Sequence, residues 1–287
     1  MSSLAVSPQN PLYSATLMGS HRITSAASSE DVRHLTFRVD EPALGTFASQ
    51  TGQTIRVMAP GQFGNKYHAR FYSIADPVQE KSGHSEFSLC VRRCSYIDDF
   101  NGEQYQGVAS NYLCDLQAGE VIEFSGPFGL AFTPPKEKTA NLLMIGMGTG
   151  IAPFRAFIRH IYEQVGGWKG QVRLFYGARS GLEMLYMNDE NNDLANYYDQ
   201  PTFKAFQAIS PRPAFAAPVA LDEALQQNAA EVWNLLGDPA THVYIAGMES
   251  MLTMVEKTLI GLAGSEIAWH SKKDDLIARS RWNEILY

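Results

Sequence analysis

Six consecutive residues, Arg70-Phe71-Tyr72-Ser73-Ile74-Ala75, put a fixed cation, aromatic rings, a hydroxyl and apolar support into one strand-like run. An arginine fork matches a pyrophosphate. A tyrosine face stacks on a flat ring, and a serine hydroxyl gives one hydrogen bond at a ring edge. Together these groups suit a planar, phosphate-bearing cofactor, although the same run is also an ordinary strand end. A second group, Gly146-Met147-Gly148-Thr149-Gly150-Ile151-Ala152-Pro153, follows the apolar run 142–145 and opens a helical pattern. A glycine turn between a strand and a helix offers backbone amides and a positive dipole end to a phosphate. Pro153 fits the first helical turn, where no amide donor is lost. The spacing differs from G-x-G-x-x-G, so nucleotide binding rests here on the strand–turn–helix context.

Three further landmarks carry chemistry in combination. Leu89-Cys90-Val91-Arg92-Arg93, with Tyr96 just beyond, reads as a strand with charge and an aromatic, or as a solvated edge guarded by positive charge. Gly107-Val108-Ala109-Ser110-Asn111 begins a helix that either presents amides and a hydroxyl to a phosphate or is plainly capped. Tyr287 stands last, behind Trp282, Ile285 and Leu286, whose apolar character predicts a docked tail rather than a frayed one.

The elements that must position these residues fall into two halves. From Leu12 to Pro134, short strand-like runs at 34–39, 54–58, 87–91 and 121–124 alternate with turn residues, which predicts an antiparallel β-barrel or sandwich. From Asn141 the period changes. Runs at 142–145, 172–176, 203–209 and 243–245 alternate with helical patterns at 221–236 and 251–262, which predicts an α/β doubly wound parallel sheet. After the glycine turn, Phe154, Phe157, Ile158 and Ile161 recur at helical spacing, with Arg155, Arg159 and Glu163 on the other face. The stretch Thr133-Pro134-Pro135-Lys136-Glu137-Lys138-Thr139 is the expected linker, dividing the chain into 1–138 and 139–287.

Composition narrows the class. With 287 residues, 45% hydrophobic and 18% charged, the chain is long enough for two cores and has the balance of a globular protein. A net charge of −7 argues against general nucleic-acid binding, yet Lys66, His68, Arg70, Arg92 and Arg93 can form a local basic patch. Cys90, Cys94 and Cys114 are too few and unevenly spaced for a disulfide framework or a metal cluster, so no metal site and a reducing, cytoplasmic compartment are expected. Residues 1–10 read as a flexible tail without a secretory pattern, and no apolar run is long enough to span a membrane.

Taken in register, the five landmarks resemble the plant-type ferredoxin–NADP reductase family over almost the whole chain, from about Asn10 to Tyr287. The resemblance implies an FAD-binding barrel followed by an NAD(P)-binding domain, and an enzyme that moves hydride between NAD(P)H and flavin N5. Single electrons would pass to a ferredoxin or flavodoxin. By position it implies Arg70 on the FAD pyrophosphate, Tyr72 on one isoalloxazine face, Tyr287 on the other, and Ser73 near N5, with Ser73 and Tyr287 catalytic. Phe71, Cys90, Val91 and Arg92 would border the cofactor and Tyr96 would stack on adenine. Gly107, Val108, Ala109 and Ser110 would cradle the pyrophosphate. Gly148, Thr149, Gly150 and Pro153 would receive the pyridine dinucleotide, with Ser210 and Arg212 near its 2′-phosphate, so that NADP(H) is favoured over NAD(H).

The sequence departs from the family in three places. Ala246 stands where a cysteine usually precedes the glycine of the last inner strand. Ile285 stands where a glutamate usually precedes the terminal tyrosine by two, with Glu284 one residue earlier. Pro211 separates Ser210 from Arg212, and Ala220, Leu221 and Asp222 replace a downstream aromatic. The same motif set also fits the reductase component of a dedicated oxygenase, or a flavin module with little pyridine-nucleotide turnover.

Overall fold

The computed structural model describes residues 11–40, 51–62, 64–81, 83–129, 132–211 and 219–287. The expected flexible tail at 1–10 lies outside the described residues. Its first half contains β1 (Leu12–Arg22), β2 (Val32–Asp40), β3 (Thr54–Pro60), β4 (Tyr67–Ser73), β5 (Gln79–Lys81), β6 (His84–Arg92), β7 (Ser95–Ile97), β8 (Gln104–Gln106), helix α1 (Val108–Asp115) and β9 (Val121–Phe128). Seven of these strands pair antiparallel in the order β4-β3-β9-β1-β2-β6-β5, while β7 and β8 form a separate hairpin. Alternation explains the sheet. Leu35, Phe37 and Val39 on β2 face inward, opposite Leu89, Phe87 and Ser85 on β6, while the residues between them turn out. Phe37 stacks on Phe87 at 5.5 Å, and Phe124 of β9 meets Phe87 at 5.4 Å. A bridge between Ile74 and Leu89, reinforced by the Ala75 amide donating to Ser88 O at 2.8 Å, joins the β4 end of the sheet to β6. The sheet is thereby closed into a barrel, and Leu113 and Cys114 of α1 join its core.

The second half holds β10 (Asn141–Met147), α2 (Ile151–Arg159), β11 (Val172–Ala178), β12 (Phe203–Ile209), α3 (Leu221–Gln227), α4 (Ala229–Gly237), β13 (Thr241–Gly247), α5 (Glu249–Ala263), α6 (Glu266–Ala278) and β14 (Trp282–Leu286). Its strands are all parallel, in the order β12-β11-β10-β13-β14. Strand β10 lies between two cores, with Leu142 and Met144 in one and Leu143 and Ile145 in the other, which accounts for its uninterrupted apolar run. The chain winds from β10 outward to β12 and returns to β13, so the order reverses between β10 and β13. A ligand crevice opens at the carboxyl ends of strands at such a reversal.

Two expectations change. The pattern at 221–236 is two helices rather than one. Asn228, at φ −111° and ψ 26°, breaks it, with its side-chain amide donating to Ala224 O at 2.8 Å. The polar side of α2 is not a solvent face, because Arg155 is only 4% exposed. Its guanidinium donates to Ala75 O at 2.9 Å and pairs with Asp76 of the barrel and Asp193 of the second half. Arg159 joins Asp76 from the next turn. Around this pair, His34 Nδ1 meets the Tyr186 hydroxyl at 2.9 Å, and Asn188 donates to Ile23 O at 2.9 Å. Phe132 stacks on Phe154 at 5.2 Å, so apolar packing continues through the joint.

The joint makes stability depend on pH. Burial pushes the His34 imidazole down to about 4, against the raising effect of Asp76, so it is neutral in the folded protein above that value. An unfolded histidine titrates near 6.5. Between these values the unfolded chain binds the extra proton, so stability falls as pH drops from about 6.5 to about 4, by up to roughly 3 kcal/mol. Burial raises the Asp76 carboxyl, but Arg155, His34, the Ser88 hydrogen bond and Arg159 together hold it below its ordinary value. Its contribution is therefore lost only at still lower pH. Urea unfolding at pH 7 and pH 4.5 should show this loss, and His34→Gln should flatten it; equal stability at both pH values contradicts a buried neutral His34.

Candidate active-site crevice

The barrel wall of the crevice is built by β4, β6 and α1. On β4, Arg70 and Tyr72 share one face because strand side chains alternate, opposite Val57 and Ile55 of β3. Arg70 is exposed and donates to Ala69 O at 2.9 Å, and no carboxylate of the described residues pairs with it. Tyr72 is half-buried against the barrel core, and burial pushes its phenol well up, with charge effects from Cys94 and Cys114 adding to this. Phe71 and Ser73 lie on the other face. Phe71 packs edge-on to Phe128 at 5.4 Å, and Ser73 pairs with Thr54. On β6 the same alternation turns Val91 into the barrel core and Cys90 into the joint between the halves, leaving Arg92 at the edge. The side chain of Val91 therefore faces away from the crevice, and only its backbone is available there.

At the start of α1, Gly107 is the N-cap and no side chain caps the helix. A Cβ on Gly107 would meet Ser110 Oγ at 2.9 Å and Cys94 O at 3.1 Å, so any side chain there would press on the hydroxyl and the carbonyl that fix the turn. The Ser110 hydroxyl is used internally. It accepts from the Cys94 amide at 3.2 Å and donates to Gly107 O at 3.4 Å. What this helix end offers an anion is thus the backbone amides of Val108 and Ala109 together with the helix dipole. Arg93 is a strut, bonded to Asp31, Asn111 and Asp115. Arg92 pairs loosely with Glu30 at 3.6 Å, and Lys66 lies over the Tyr67 ring, so the basic patch expected from sequence reduces to Arg70, Arg92, Lys66 and His68. Beyond β6, Tyr96 stacks on Tyr105 at 5.7 Å across the β7–β8 hairpin, and both rings are exposed.

The opposite wall is the glycine turn. Its three glycines have different reasons. A Cβ on Gly146 would meet the Phe154 ring at 2.6 Å, and one on Gly150 would meet Ala246 O at 2.2 Å, so both allow α2 to sit close on β10 and β13. Gly148, at φ +57° with open space beside it, makes the turn itself. Tyr176 fixes this turn by donating its hydroxyl to Gly148 O at 2.8 Å. Pro153 is buried in the first turn of α2 and supports the loop from behind. Ser210, at the end of β12, lies two strands from the turn, and its amide donates to Ala178 O at 3.2 Å. Arg212 lies outside the described residues.

The tail closes the mouth. Residues 282–286 form β14 on β13, with Ile285 opposite Ala246, which fixes where the last residue falls. The Tyr287 amide donates to Gly247 O at 3.1 Å. Its hydroxyl accepts from Thr149 Oγ1 at 3.1 Å and donates to Met147 O at 3.4 Å. Tyr287 thus spans the β10–β13 reversal, with 59% of its surface exposed and its hydroxyl end within electrostatic reach of Cys90 and Arg92. Glu284 points elsewhere. Its carboxylate accepts from Trp282 Nε1 and lies 3.7 Å from Lys273 of α6, on the opposite face of β14 from Ile285.

Sequence reasoning missed Arg179. It is exposed just past the end of β11, one residue beyond the Ala178 carbonyl that anchors Ser210, and its charge reaches Glu183. The rule that ligands bind at the carboxyl ends of parallel strands would have found it in Tyr176-Gly177-Ala178-Arg179. Tyr105 had no signal beyond its place opposite Tyr96.

A barrel wall offering arginine, tyrosine and bare helix amides, facing a glycine turn at a sheet reversal, defines a two-domain flavin- and pyridine-nucleotide-dependent oxidoreductase. Residues 22–132 match the model of the oxidoreductase FAD-binding domain, and residues 144–257 match that of the oxidoreductase NAD-binding domain. Over 98% of its length the chain is 30% identical to a ferredoxin–NADP reductase of Spirulina sp., covering 96% of that protein. It is 31% identical to the chloroplastic leaf isozyme 1 of ferredoxin–NADP reductase from Oryza sativa subsp. indica, again over 98% of this chain and 78% of that one. The solved ferredoxin–NADP+ reductase of Plasmodium falciparum, 19% identical, shares the fold with a TM-score of 0.73 over 96% of both chains. The chain belongs to the ferredoxin–NADP reductase family: it is a flavoprotein oxidoreductase that uses FAD and a pyridine nucleotide. Among the described residues no helix is long and apolar enough to cross a membrane.

The orientation of Glu284 gives a test. Glu284→Gln should leave the rate of coenzyme oxidation within twofold and cost less than about 1 kcal/mol of stability, as for a partly exposed ion pair. A rate loss of tenfold or more would place this carboxylate in the crevice.

Proposed function

We propose that the enzyme exchanges hydride with NADP(H) and passes single electrons to a small acidic carrier protein, a ferredoxin or flavodoxin. The observation that carries this reading is Tyr287, half-exposed and bridging Gly247 O and Thr149 across the sheet reversal, where a nicotinamide ring must arrive. Bound FAD supplies the chemistry, accepting electrons in pairs and releasing them singly. Arg70 and the Val108 and Ala109 amides would hold its pyrophosphate, Tyr72 would support one ring face, and Tyr287 would cover the other until a nicotinamide took its place. Ser73 ends β4, so the ring edge would meet it at the strand end rather than on the Arg70–Tyr72 face, and Tyr96, with Tyr105 behind it, offers a stacking face to adenine. Phe71 supports β4 from the outer face through Phe128. Gly148 and Thr149 receive the coenzyme, supported by Gly150 and Pro153, while Arg179 and Ser210 face its 2′-phosphate, and Arg212 follows Ser210 by two residues in the sequence. Arg70, Lys66 and His68 give the barrel side a positive edge that steers an acidic carrier despite the net charge of −7. Three free thiols suit a reducing cytoplasm, and the division between the two domains is placed at 138/139.

Displacing Tyr287 sacrifices two hydrogen bonds, each worth about 1 kcal/mol. Tyr287→Ser should therefore tighten NADP+ binding by about tenfold or more in a spectroscopic titration; unchanged or weaker binding removes Tyr287 from the coenzyme's path. Arg179→Ala removes a charge-assisted contact of about 1.5–3 kcal/mol. It should raise the KM for NADPH by roughly 10–100-fold and leave that for NADH within twofold. Parallel rises for both coenzymes would take Arg179 away from the 2′-phosphate.

A further inference from the structure

The glycine turn is held from two sides by two tyrosines. From the crevice, the Tyr287 hydroxyl accepts from Thr149 Oγ1 at 3.1 Å and donates to Met147 O at 3.4 Å. From the core, the Tyr176 hydroxyl donates to Gly148 O at 2.8 Å. Tyr176 is fully buried on β11, opposite Gly146 of β10, in the same core as Leu142, Met144 and Ile151. A phenylalanine would fill that core equally well, and a buried hydroxyl costs stability unless it is bonded. Here the hydroxyl is directed at the turn. Burial pushes the phenol well up, so it stays a protonated donor across the ordinary pH range.

Little else fixes Gly148. A Cβ added there would meet nothing within 4 Å beyond its chain neighbours, and the residue sits at φ +57°, where glycine alone turns freely. Its carbonyl is held by Tyr176 and by the Ile151 amide at the start of α2. That carbonyl in turn sets the direction of a donor. The peptide joining Gly148 to Thr149 is planar and trans, so the Thr149 N–H points opposite to the Gly148 C=O. With the oxygen drawn toward Tyr176 and Ile151, the Thr149 amide faces out from the N-terminal end of the turn, where no carbonyl precedes it to bond. That end opens on the crevice, where a dinucleotide phosphate meets backbone amides.

The two tyrosines differ in how long they stay. When a coenzyme takes the place of Tyr287, both crevice-side bonds are lost. Tyr176 lies behind the turn and remains. We propose that Tyr176 is a positioning residue for the coenzyme: its hydroxyl fixes the 148–149 peptide, so that the Thr149 amide is already aimed at the pyrophosphate when Tyr287 leaves. Without that hydroxyl the coenzyme must order the turn itself, and binding weakens by the cost of doing so. Three residues on, just past the end of β11, Arg179 serves a different part of the coenzyme, the 2′-phosphate. The inference rests on the functional reading above, which brings a dinucleotide to this turn.

Tyr176→Phe keeps the ring in the core and removes only the hydroxyl. FAD-loaded protein is titrated with NADP+ and, separately, with adenosine 2′-phosphate, which carries the 2′-phosphate but no pyrophosphate. Tyr176→Phe should weaken NADP+ by about five- to tenfold and leave adenosine 2′-phosphate within about twofold. The KM for NADPH should rise in step, while flavin reduction at saturating NADPH stays within about threefold of the unaltered rate. Equal losses for both ligands make Tyr176 a structural residue of β11 and overturn the proposal, as does unchanged NADP+ binding. Failure of the unaltered protein to bind either ligand overturns the functional reading instead. Exchange of the Ile151 amide, followed by NMR without coenzyme, tests the tether apart from that reading and, in its first arm, leaves the core unaltered. Tyr287→Ser alone should leave this exchange within about threefold, because Tyr176 still holds the shared Gly148 carbonyl. Adding Tyr176→Phe should then speed it at least fivefold. A larger rise in Tyr287→Ser alone, or no further rise in the double variant, overturns the tether.

Discussion

The structure depends on one buried cation. Arg155 leaves the first turns of α2, crosses between the halves and is met by Asp76 from the barrel and Asp193 from its own side, with Ala75 O beside it. A guanidinium that is 4% exposed cannot rest there without those carboxylates, because removing one partner of such a group costs several kcal/mol. The arrangement ties the start of α2 to the turn at Ala75 and Asp76 that follows the Arg70–Ser73 run. It holds the glycine turn opposite the barrel wall, and the crevice between them follows from that placement.

Steric detail completes the crevice. Gly146 and Gly150 let α2 approach β10 and β13 at distances no side chain would permit, and Tyr176 pins the Gly148 carbonyl. The tail then runs as a fifth parallel strand, which is why the final residue of the chain can hold a defined position over the sheet reversal. Tyr287 is secured by three hydrogen bonds and is still largely exposed. A residue held in this way can cover a reactive surface and still leave it when another ring competes.

Much of this was legible in the sequence. Inward-facing residues of period two on β2 and β6, the apolar run of β10 and the glycine turn before α2 all announced their elements, because each follows from local sterics and one-sided or two-sided burial. The Arg70–Ser73 run and Gly107–Ser110 announced binding chemistry, but not that Phe71 and Ser73 face away from Arg70 and Tyr72, nor that the Ser110 hydroxyl is already used. What stayed hidden was long-range. Arg155 sits on a face that reads as solvent-exposed until the barrel is packed against it. The direction of Glu284 depends on Lys273 across α6, and the value of Arg179 depends on the neighbouring strand end that carries Ser210. Spacing along one chain carries little information about partners more than a hundred residues away, as His34 and Tyr186 show.

We propose that the crevice between the Arg70–Ser73 strand and the Gly148 turn brings a flavin and NADPH face to face. Anaerobic stopped-flow mixing of the FAD-loaded protein with NADPH, followed at the flavin absorbance, tests it most directly. The flavin should bleach within seconds, faster than with an equal concentration of NADH. Flavin that stays oxidised for minutes in excess NADPH would contradict it.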